Sequence, residues 1–567
     1  MTVAEYIAYY LEQIGVTDAF GVPGGVILDL LYAFNSNRNI EPHLSYHEQC
    51  AGFAAEGYSQ SSGKLGVAYV TRGPGVANII TSIADAYFDG IPVLYITAHA
   101  SLRSEDSEAR CAEDQEWNVT EHIKEITKYA ASVEELSEVC KSVREACESA
   151  LRGRKGPVFL DFYSPLLGKS IDDYLIRGIT RGDSNQTIRK SEYDDVERAV
   201  DITECAVKNA HRPVFLIGDG VNQSKTGAAI RAIAEKSNIP VISSRFAENV
   251  MNDSNMYFGY IGSHGLRYTN FILSKADVII SVGNRLSYPR NSKSYGDIFE
   301  NKELIRIDID KGELNRKIQG SKDFLCDIKD YLHELGKINT GYADWSKWLS
   351  NCNEIKYTLK DRDYIKPIDD LEMIMKKCHK DTTIVSDVGN HEYWLSMAYV
   401  KGGCVNDIFY SKSFGTLGSA LGKSIGAYYA KCKPVICVVG DQGLQLNLQE
   451  LQVIKQNSLP ISVIVVNNHE SGMIRQRQKQ RHGKNIHTTE DSGYTSANVA
   501  NIARAYELQY MTFDEYINEL NQEKGPLLVE LRVDEGTDLN PSLPLGNPIQ
   551  MMSPLLDEEM YKKLDSI

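Results

Sequence analysis

Two oxygen-bearing side chains, Asp441 and Asn468, each follow an apolar β-branched run, and that placement suits a hard cation. Val435-Ile436-Cys437-Val438-Val439 and Ile461 to Val466 read as buried parallel strands. The first leads into Gly440-Asp441-Gln442-Gly443 and the second ends in Asn467-Asn468. Between them, Leu446 to Gln456 reads as one helix with Leu448, Leu451 and Ile454 on its apolar side. Strands joined in this way can lie side by side, which brings both oxygens to the carboxyl edge of a sheet, where open α/β sheets bind ligands. Mg²⁺ takes such a set: oxygen ligands at about 2.1 Å, few from protein, the rest from water and phosphate. The competing reading is a strand–turn–helix whose Asp only caps the helix.

Glu48 is a second candidate. It stands between a strand end, His43 to His47, and a helix of small residues, Ala51 to Gln60. A carboxyl group so placed is partly desolvated, which raises its pKa and prepares it for proton transfer. An acid in the first turn of a helix also favours the helix dipole, so a purely capping role competes.

The elements that must hold these groups are those of a large α/β protein. At 567 residues the chain should divide into about three or four domains. A net charge of −15 with no long basic run argues against nucleic acid or an anionic membrane as partner. No stretch approaches the roughly 20 apolar residues of a membrane span. The N-terminal MTVAEYIAYYLEQIGV is an amphipathic helix with acidic residues rather than a signal peptide. Eleven scattered cysteines without a C-x-x-C pair indicate reduced thiols and a cytoplasmic protein.

In chain order, residues 1–165 alternate strands and helices, with glycine turns at Gly21-Val22-Pro23-Gly24-Gly25 and Arg72-Gly73-Pro74-Gly75. Residues 166–195 are polar and read as a linker. Residues 190–340 hold further strand patterns at Arg212 to Gly218, Val241 to Ser244, Val278 to Gly283 and Leu304 to Asp310. A second linker is expected over 341–365, then a third α/β domain over 366–535 and a Pro- and Met-rich tail over 536–567. Gly422-Lys423-Ser424 suggests a P-loop, but Leu417 occupies the position of its first glycine, so the pattern fails. Lys423 is then expected to be a solvated or helix-start lysine.

The Gly440–Met473 stretch resembles the thiamine diphosphate (ThDP) signature, G-D-G followed about one βα unit later by paired Asn. GVPGG, HEQCAGFAAEGYSQSSGK, TRGPGVANIITSIADAYFDGIPVL and RKGPVFLDF follow, in order, the pyrimidine-binding domain of acetolactate synthases and their relatives. The resemblance covers almost the whole chain. It implies three doubly wound parallel-sheet domains (pyrimidine-binding, central and diphosphate-binding) with a tail that folds over the active site as a lid. It implies that Asp441, the Asn468 side chain and the Glu470 backbone carbonyl hold Mg²⁺. Glu48 would contact N1′ of the aminopyrimidine, and Gln115 would face substrate. Pro23, Gly24, Asn78, Gly389, Asn390, His391, Gly415, Leu417, Gln442, Gly443 and Met473 would touch the cofactor, with Leu417 wedged beneath its rings; Gln442 departs from the usual small residue. Some members bind FAD in the central domain, where Gly262, Ser263, His264 and Arg285 resemble flavin-contacting residues; a purely structural domain is the alternative. Glu48 and Asp441 of one site would come from different subunits of a dimer or tetramer.

Three positions depart from the synthases. Arg477 stands where they carry tryptophan, Asp114 where they carry phenylalanine, and Ser164 about where they carry lysine. Arg and Asp make the acceptor side polar, and Arg offers a fork of donors. The reading is therefore a decarboxylating carboligase that passes a two-carbon unit from pyruvate to a polar acceptor such as a keto sugar. True acetolactate synthase and a simple 2-keto acid decarboxylase are the alternatives. A non-catalytic subunit should lack Glu48 or Asp441, and GVPGG does not supply the G-x-G-x-x-G of an NAD-linked oxidoreductase.

Overall fold

The structure is a computed structural model that describes residues 1–101, 114–172, 195–287, 298–316, 318–338, 344–520, 525–544 and 546–567. The chain forms two compact units. One gathers Met1–Thr187, His379–Glu392 and Asn406–Thr537, and the other Ile188–Cys378, Tyr393–Val405 and Asp538–Ile567.

The first unit contains two six-stranded sheets with every pairing parallel. In the N-terminal sheet, β1 (Asp18–Gly21), β2 (Glu41–Leu44), β3 (Gly66–Tyr69), β4 (Val93–His99), β5 (Tyr129–Val133) and β6 (Val158–Tyr163) run in the order β2-β1-β3-β4-β6-β5. The second unit holds β7 (Pro213–Ile217), β8 (Val241–Ser244), β9 (Tyr257–Ile261), β10 (Val278–Val282), β11 (Glu303–Asp308) and β12 (Ser321–Leu325), in the order β12-β11-β10-β7-β8-β9. The C-terminal sheet, again in the first unit, comprises β13 (Thr383–Ser386), β14 (Ile408–Phe409), β15 (Val435–Gly440), β16 (Ile461–Asn467), β17 (Gln509–Thr512) and β18 (Leu527–Arg532), ordered β14-β13-β15-β16-β18-β17. All three are the doubly wound parallel sheets expected. In the first unit's sheets the strand order changes direction between β1 and β3 and between β13 and β15, and such reversals open crevices at the carboxyl ends.

One apolar core runs through both sheets of the first unit. At its centre the Glu48–Ser62 helix packs on the Ala420–Lys431 helix. Their backbones touch. A Cβ on Gly57 would lie 2.0 Å from the Lys423 carbonyl oxygen, and one on Gly426 would lie 1.8 Å from that of Ala54. The run of small residues after Glu48 is what permits this approach.

Lys423 overturns its expectation. It is fully buried, with Nζ 2.7 Å from Asp85 Oδ2 and 3.1 Å from Glu56 Oε2. Its flanks are helical and its neighbours come from the N-terminal sheet's helices, so it has no route to solvent. Burial works against the ammonium's charge, but Asp85 and Glu56 outweigh it and hold the Lys423 pKa above that of an ordinary lysine. Burial pushes Glu56 well above the carboxylate range and favours its protonated form, while Lys423 and hydrogen bonds keep Asp85 below that range despite burial. The cluster thus reads as one Lys⁺–Asp⁻ pair beside a neutral Glu.

Asp85 and Asp89, one helical turn apart, also grip the segment before Leu417. Asp85 Oδ1 accepts from Ser411 Oγ at 2.5 Å and Thr416 Oγ1 at 2.7 Å. Asp89 accepts from the backbone N–H of Lys412 at 2.7 Å and of Ser413 at 2.6 Å.

A second tie joins the two sheets. Asn447, with φ −137°, interrupts the helix expected over 446–456. The structure has a helix Asp441–Leu446, a 3-10 turn and a helix Leu451–Gln456. The break has a cause: Asn447 Nδ2 donates to Gly418 O at 2.8 Å and to Gln49 Oε1 at 3.1 Å. Next to it, buried Glu450 Oε1 accepts from the backbone N–H of Tyr46 and His47, both at 3.0 Å. Burial pushes the Glu450 carboxyl up to about 8 against those two bonds.

In the second unit, the stretch read as a linker contains the helix Ser346–Leu359. Trp345 and Trp348 are buried and donate their indole N–H to Ala210 O at 3.1 Å and Pro213 O at 3.0 Å. Residues 173–194 and 341–343 of the two expected linkers lie outside the described residues. The tail packs on the same unit: Leu543 N–H donates to Ser263 O at 2.7 Å, and Arg267 Nη1 to Met552 O at 2.9 Å. None of the ten described cysteines forms a disulfide. No helix among the described residues is long and apolar enough to cross a membrane.

Two outcomes follow from the buried charges. Lys423→Met should lower stability by about 3–5 kcal/mol, because Asp85 is left buried without its cation. Adding Asp85→Asn should recover most of the loss; thermal melts that show no recovery would remove the ion pair from the account. For Glu450, the pKa is raised from 4.5 to about 8 on folding. The protonated form is favoured in the fold, so the penalty for ionising it grows as pH rises through that window and is complete above it. Glu450→Gln should therefore raise the melting temperature relative to wild type above pH 8, with the difference shrinking toward acid pH; a pH-independent difference would contradict this.

Candidate active site

The C-terminal sheet's reversal lies between the ends of β13 and β15. After β13 the chain runs Asp387-Val388-Gly389-Asn390-His391, and after β15 it reaches Asp441. Strand β16 lies next to β15 with Gly440 opposite Val466, so Asp441 and the Asn467-Asn468 end are neighbours, as expected. Asp441 opens its helix and is buried, and burial raises its pKa against the bond donated by Tyr494 Oη at 2.8 Å. Asn468 is buried, and its Oδ1 accepts from Glu470 N–H at 3.3 Å. The Glu470 carboxylate is engaged by Arg475 Nε at 2.8 Å and Gly536 N–H at 3.0 Å. Its side chain is committed to the protein, so its backbone is the part left for a metal.

Gly472 explains how two amides meet here. A Cβ on it would lie 2.7 Å from Asn468 Nδ2 and 3.0 Å from Asn390 Nδ2. Both polar atoms of the Asn390 amide and Nε2 of His391 are buried without a hydrogen-bond partner among the described residues. Burial holds the His391 imidazole neutral, with its pKa lowered to about 4. Buried polar groups left unpaired are costly, so these three point to a polar ligand.

Asp387 organises the neighbouring loop and was not singled out from the sequence. Its carboxyl oxygens each lie 2.9 Å from Gly418 N–H, and Oδ1 accepts from Ser419 N–H at 3.2 Å. Burial pushes it up to about 7 in spite of those donors. Gly443 is required beside it, since a Cβ there would lie 2.1 Å from Asp387 Oδ2 and 3.5 Å from Leu417 Cδ1. Leu417 is thus held over the start of the Asp441 helix, and Gly415, at φ +71°, makes the exposed turn before it. Gln442 is exposed, which accommodates a residue larger than the usual one, and Met473 is half-buried.

The N-terminal sheet's reversal presents Gly24 and the Thr71–Gly75 loop. A Cβ on Gly24 would strike Thr71 Cβ at 2.2 Å, and Pro23 beside it is exposed. Glu48 is the first residue of its helix, half-buried, and its Oε2 accepts from Asn78 Nδ2 at 2.9 Å. Its Oε1 lies 3.3 Å from where a Cβ on Gly75 would be. Gln115, at φ +66°, is exposed and lies against Gly73, where a Cβ would meet its carbonyl oxygen at 2.5 Å. Glu116 anchors that turn: it accepts from Arg72 Nη1 at 2.6 Å, from Ser101 N–H at 3.1 Å, and from Ser101 Oγ and Ala100 N–H. Burial opposes its charge, but these donors hold its pKa below the usual range.

Arg477 is exposed on the Gly472–His482 helix, one turn beyond Met473. Asp114 is exposed beside Gln115. The described residues show no hydrogen bond or ion pair between Asp114 and Arg477. Ser164 is turned to the backbone, with Oγ donating to Val26 O at 2.8 Å.

The donor set around Asp441 fits Mg²⁺: a carboxylate, an amide oxygen and a backbone carbonyl, with no third acidic, His or Cys side chain grouped there among the described residues. The unpaired Asn390 and His391 groups fit a diphosphate beside it. The flavin candidates fit less well. Ser263 O is taken by Leu543, His264 Nδ1 lies 3.2 Å from Pro541 O, and Arg285 Nε lies 3.7 Å from Glu313. Gly262 is bound through its N–H and carbonyl to the Asn270 amide.

Comparison with known proteins agrees with this geometry. Family models describe residues 1–125 as a thiamine pyrophosphate enzyme N-terminal TPP binding domain. They describe 203–335 as the central domain and 387–531 as the C-terminal TPP binding domain. The chain is 31% identical over 565 residues to the acetolactate synthase large subunit of Lactococcus lactis subsp. lactis (strain IL1403), covering 96% of this chain and 94% of that protein. It is 28% identical over 558 residues to the acetolactate synthase isozyme 1 large subunit of Escherichia coli (strain K12), covering 96% of each. It is also 28% identical over 606 residues to the probable acetolactate synthase large subunit of Methanococcus aeolicus, covering 100% of this chain and 97% of that protein. With two sheet-end crevices that present Glu48 and the Asp441–Asn468 pair, the chain belongs to the thiamine pyrophosphate-dependent enzymes of the acetolactate synthase large-subunit type.

Proposed function

We propose that this enzyme is a ThDP- and Mg²⁺-dependent 2-keto acid decarboxylating carboligase, which transfers a two-carbon hydroxyethyl unit from pyruvate to a second carbonyl. The observation that carries the reading is the meeting of Asn468 and the unpaired Asn390 amide over Gly472, with Asp441 at the end of the adjacent strand. Bound there, ThDP supplies a nucleophilic carbon and an electron sink. The protein's part is to bind, orient and move protons. Asp441 Oδ, Asn468 Oδ1 and the Glu470 carbonyl would hold Mg²⁺, with Asn390 and His391 toward the diphosphate. Glu48 would exchange a proton at N1′ of the aminopyrimidine, steadied by Asn78. Gly415 would offer its carbonyl to the 4′-amino group, and Leu417 would set the angle between the rings, a proximity effect. Gln115, anchored through Glu116, would face substrate. No step uses a flavin.

The relatives favour a second 2-keto acid as acceptor, which makes acetolactate the product from pyruvate alone. A second reading, a polar acceptor such as a keto sugar, rests on the exposed Arg477 and Asp114. Arg477 stands exposed one turn from Met473, with no ion-pair partner among the described residues, and offers its donors to hydroxyls or phosphate. The elements around the site also carry exposed apolar residues: Tyr46, Phe414, Leu446 and Ile474. Such a rim favours self-association to a dimer or tetramer, in which Glu48 and Asp441 of one site come from different subunits. Cytoplasmic location is part of the same reading.

Incubation with pyruvate, ThDP and Mg²⁺, with CO₂ release measured and products identified by mass, tests the proposal. Acetolactate as the efficient product, with turnover per chain falling on dilution, is expected from the first reading. Slow CO₂ release that rises with a keto-sugar acceptor supports the second. Free acetaldehyde as the sole product would refute carboligation.

A further inference from the structure

The chain returns from the Gly472–His482 helix to the cation site through residues that the family signature does not include. Gly483, at φ +69°, ends the helix. Gln478 then holds the returning strand, its Oε1 accepting from Ile486 N–H at 2.9 Å and Thr488 Oγ1 at 3.2 Å. Ser471 N–H donates to Thr488 O at 3.0 Å, which fastens the segment to the start of the same helix. A capping box at Thr489 and a left-handed Gly493, at φ +93°, turn the chain once more, with Tyr494 N–H donating to Thr489 O at 2.9 Å. This fixed turn delivers two side chains. Tyr494 Oη donates to Asp441 Oδ2 at 2.8 Å. Ser496 Oγ lies 2.6 Å from His469 Nδ1 and 3.4 Å from Asn467 Oδ1, beside Asn468.

We infer that Tyr494 is a positioning residue for the cation: by occupying Asp441 Oδ2 it leaves Oδ1 as the single oxygen that Asp441 gives to Mg²⁺. The inference rests on the proposed ThDP–Mg²⁺ site. Its physical basis is the difference between the two alkaline-earth ions. Mg²⁺ demands near-octahedral geometry with one oxygen per carboxylate, whereas the larger Ca²⁺ accepts a bidentate carboxylate and a looser shell. A hydrogen bond to one carboxylate oxygen therefore selects the smaller ion. Hydrogen-bond partners of metal ligands typically contribute about 10–100-fold in metal affinity.

Tyr494→Phe removes the hydroxyl and keeps the ring. Calorimetric titration of Mg²⁺ and of Ca²⁺ into the full-length protein with saturating ThDP reads the effect directly, without turnover. The expected result is a loss of about 10–100-fold in Mg²⁺ affinity with Ca²⁺ affinity nearly retained, so that the Mg²⁺/Ca²⁺ preference falls. General loosening of the fold would weaken both ions alike, and that outcome, or an unchanged Mg²⁺ affinity, overturns the role of Tyr494. Wild-type protein that binds neither ion with ThDP would instead overturn the site itself, and this inference with it.

Discussion

A lysine ammonium buried between two sheets' helices is the constraint on which the first unit depends. No solvent reaches Lys423 to screen its charge, so Asp85 faces it, and burial favours the protonated form of Glu56 beside them. Asp85 lies on the helix that begins at Pro74, and Glu56 on the helix that begins at Glu48. Through Glu56 and Asp85, Lys423 therefore ties the helices that begin at Glu48 and Pro74 to the helix that follows the Gly415–Gly418 loop. Because Asp85 also binds Ser411 and Thr416, the same charge reaches the turn that presents Gly415. A buried ion pair is a poor source of net stability against an apolar replacement. Its place is geometric: it lies where the two helices touch through Gly57 and Gly426.

Close approach recurs wherever chemistry is expected. Gly443 lets the Asp387 carboxyl reach the start of the Asp441 helix, Gly472 lets Asn390 and Asn468 meet, and Gly75 leaves room for Glu48. In each case a methyl group would displace a polar atom of the site. Acids are held in different states by their surroundings: Asp387 is pushed up by burial, while Glu116 is kept low by its donors. A scaffold of short parallel strands supplies the two crevices, and the glycines determine how deeply the side chains enter them.

Much of this was legible in the residues. The β-branched runs ending at Asp441 and Asn468 marked two adjacent strands, and β15 and β16 pair as those runs require. What escaped depends on partners far along the chain. Lys423 read as a helix-start lysine because Asp85 lies 338 residues away. The helix through Asn447 read as continuous because the groups that break it, Gly418 O and the Gln49 side chain, belong to other elements. Tyr494 carried no signal, since a lone tyrosine in a polar turn becomes meaningful only when its hydroxyl meets Asp441. The Trp345–Trp348 stretch read as a linker because periodicity alone could not show that both indoles find carbonyls on the central unit.

The proposed function requires Glu48 to act as the acid–base group at the aminopyrimidine while Asp441 and Asn468 hold the diphosphate's cation. The most direct measurement is the rate of deuterium exchange at C2 of the bound cofactor, followed by acid quench and proton NMR, in wild type and Glu48→Gln. The account predicts exchange slowed by about 10²-fold or more in the variant with ThDP still bound, the scale of a general acid–base contribution. Equal exchange rates in the two proteins at equal occupancy would contradict it.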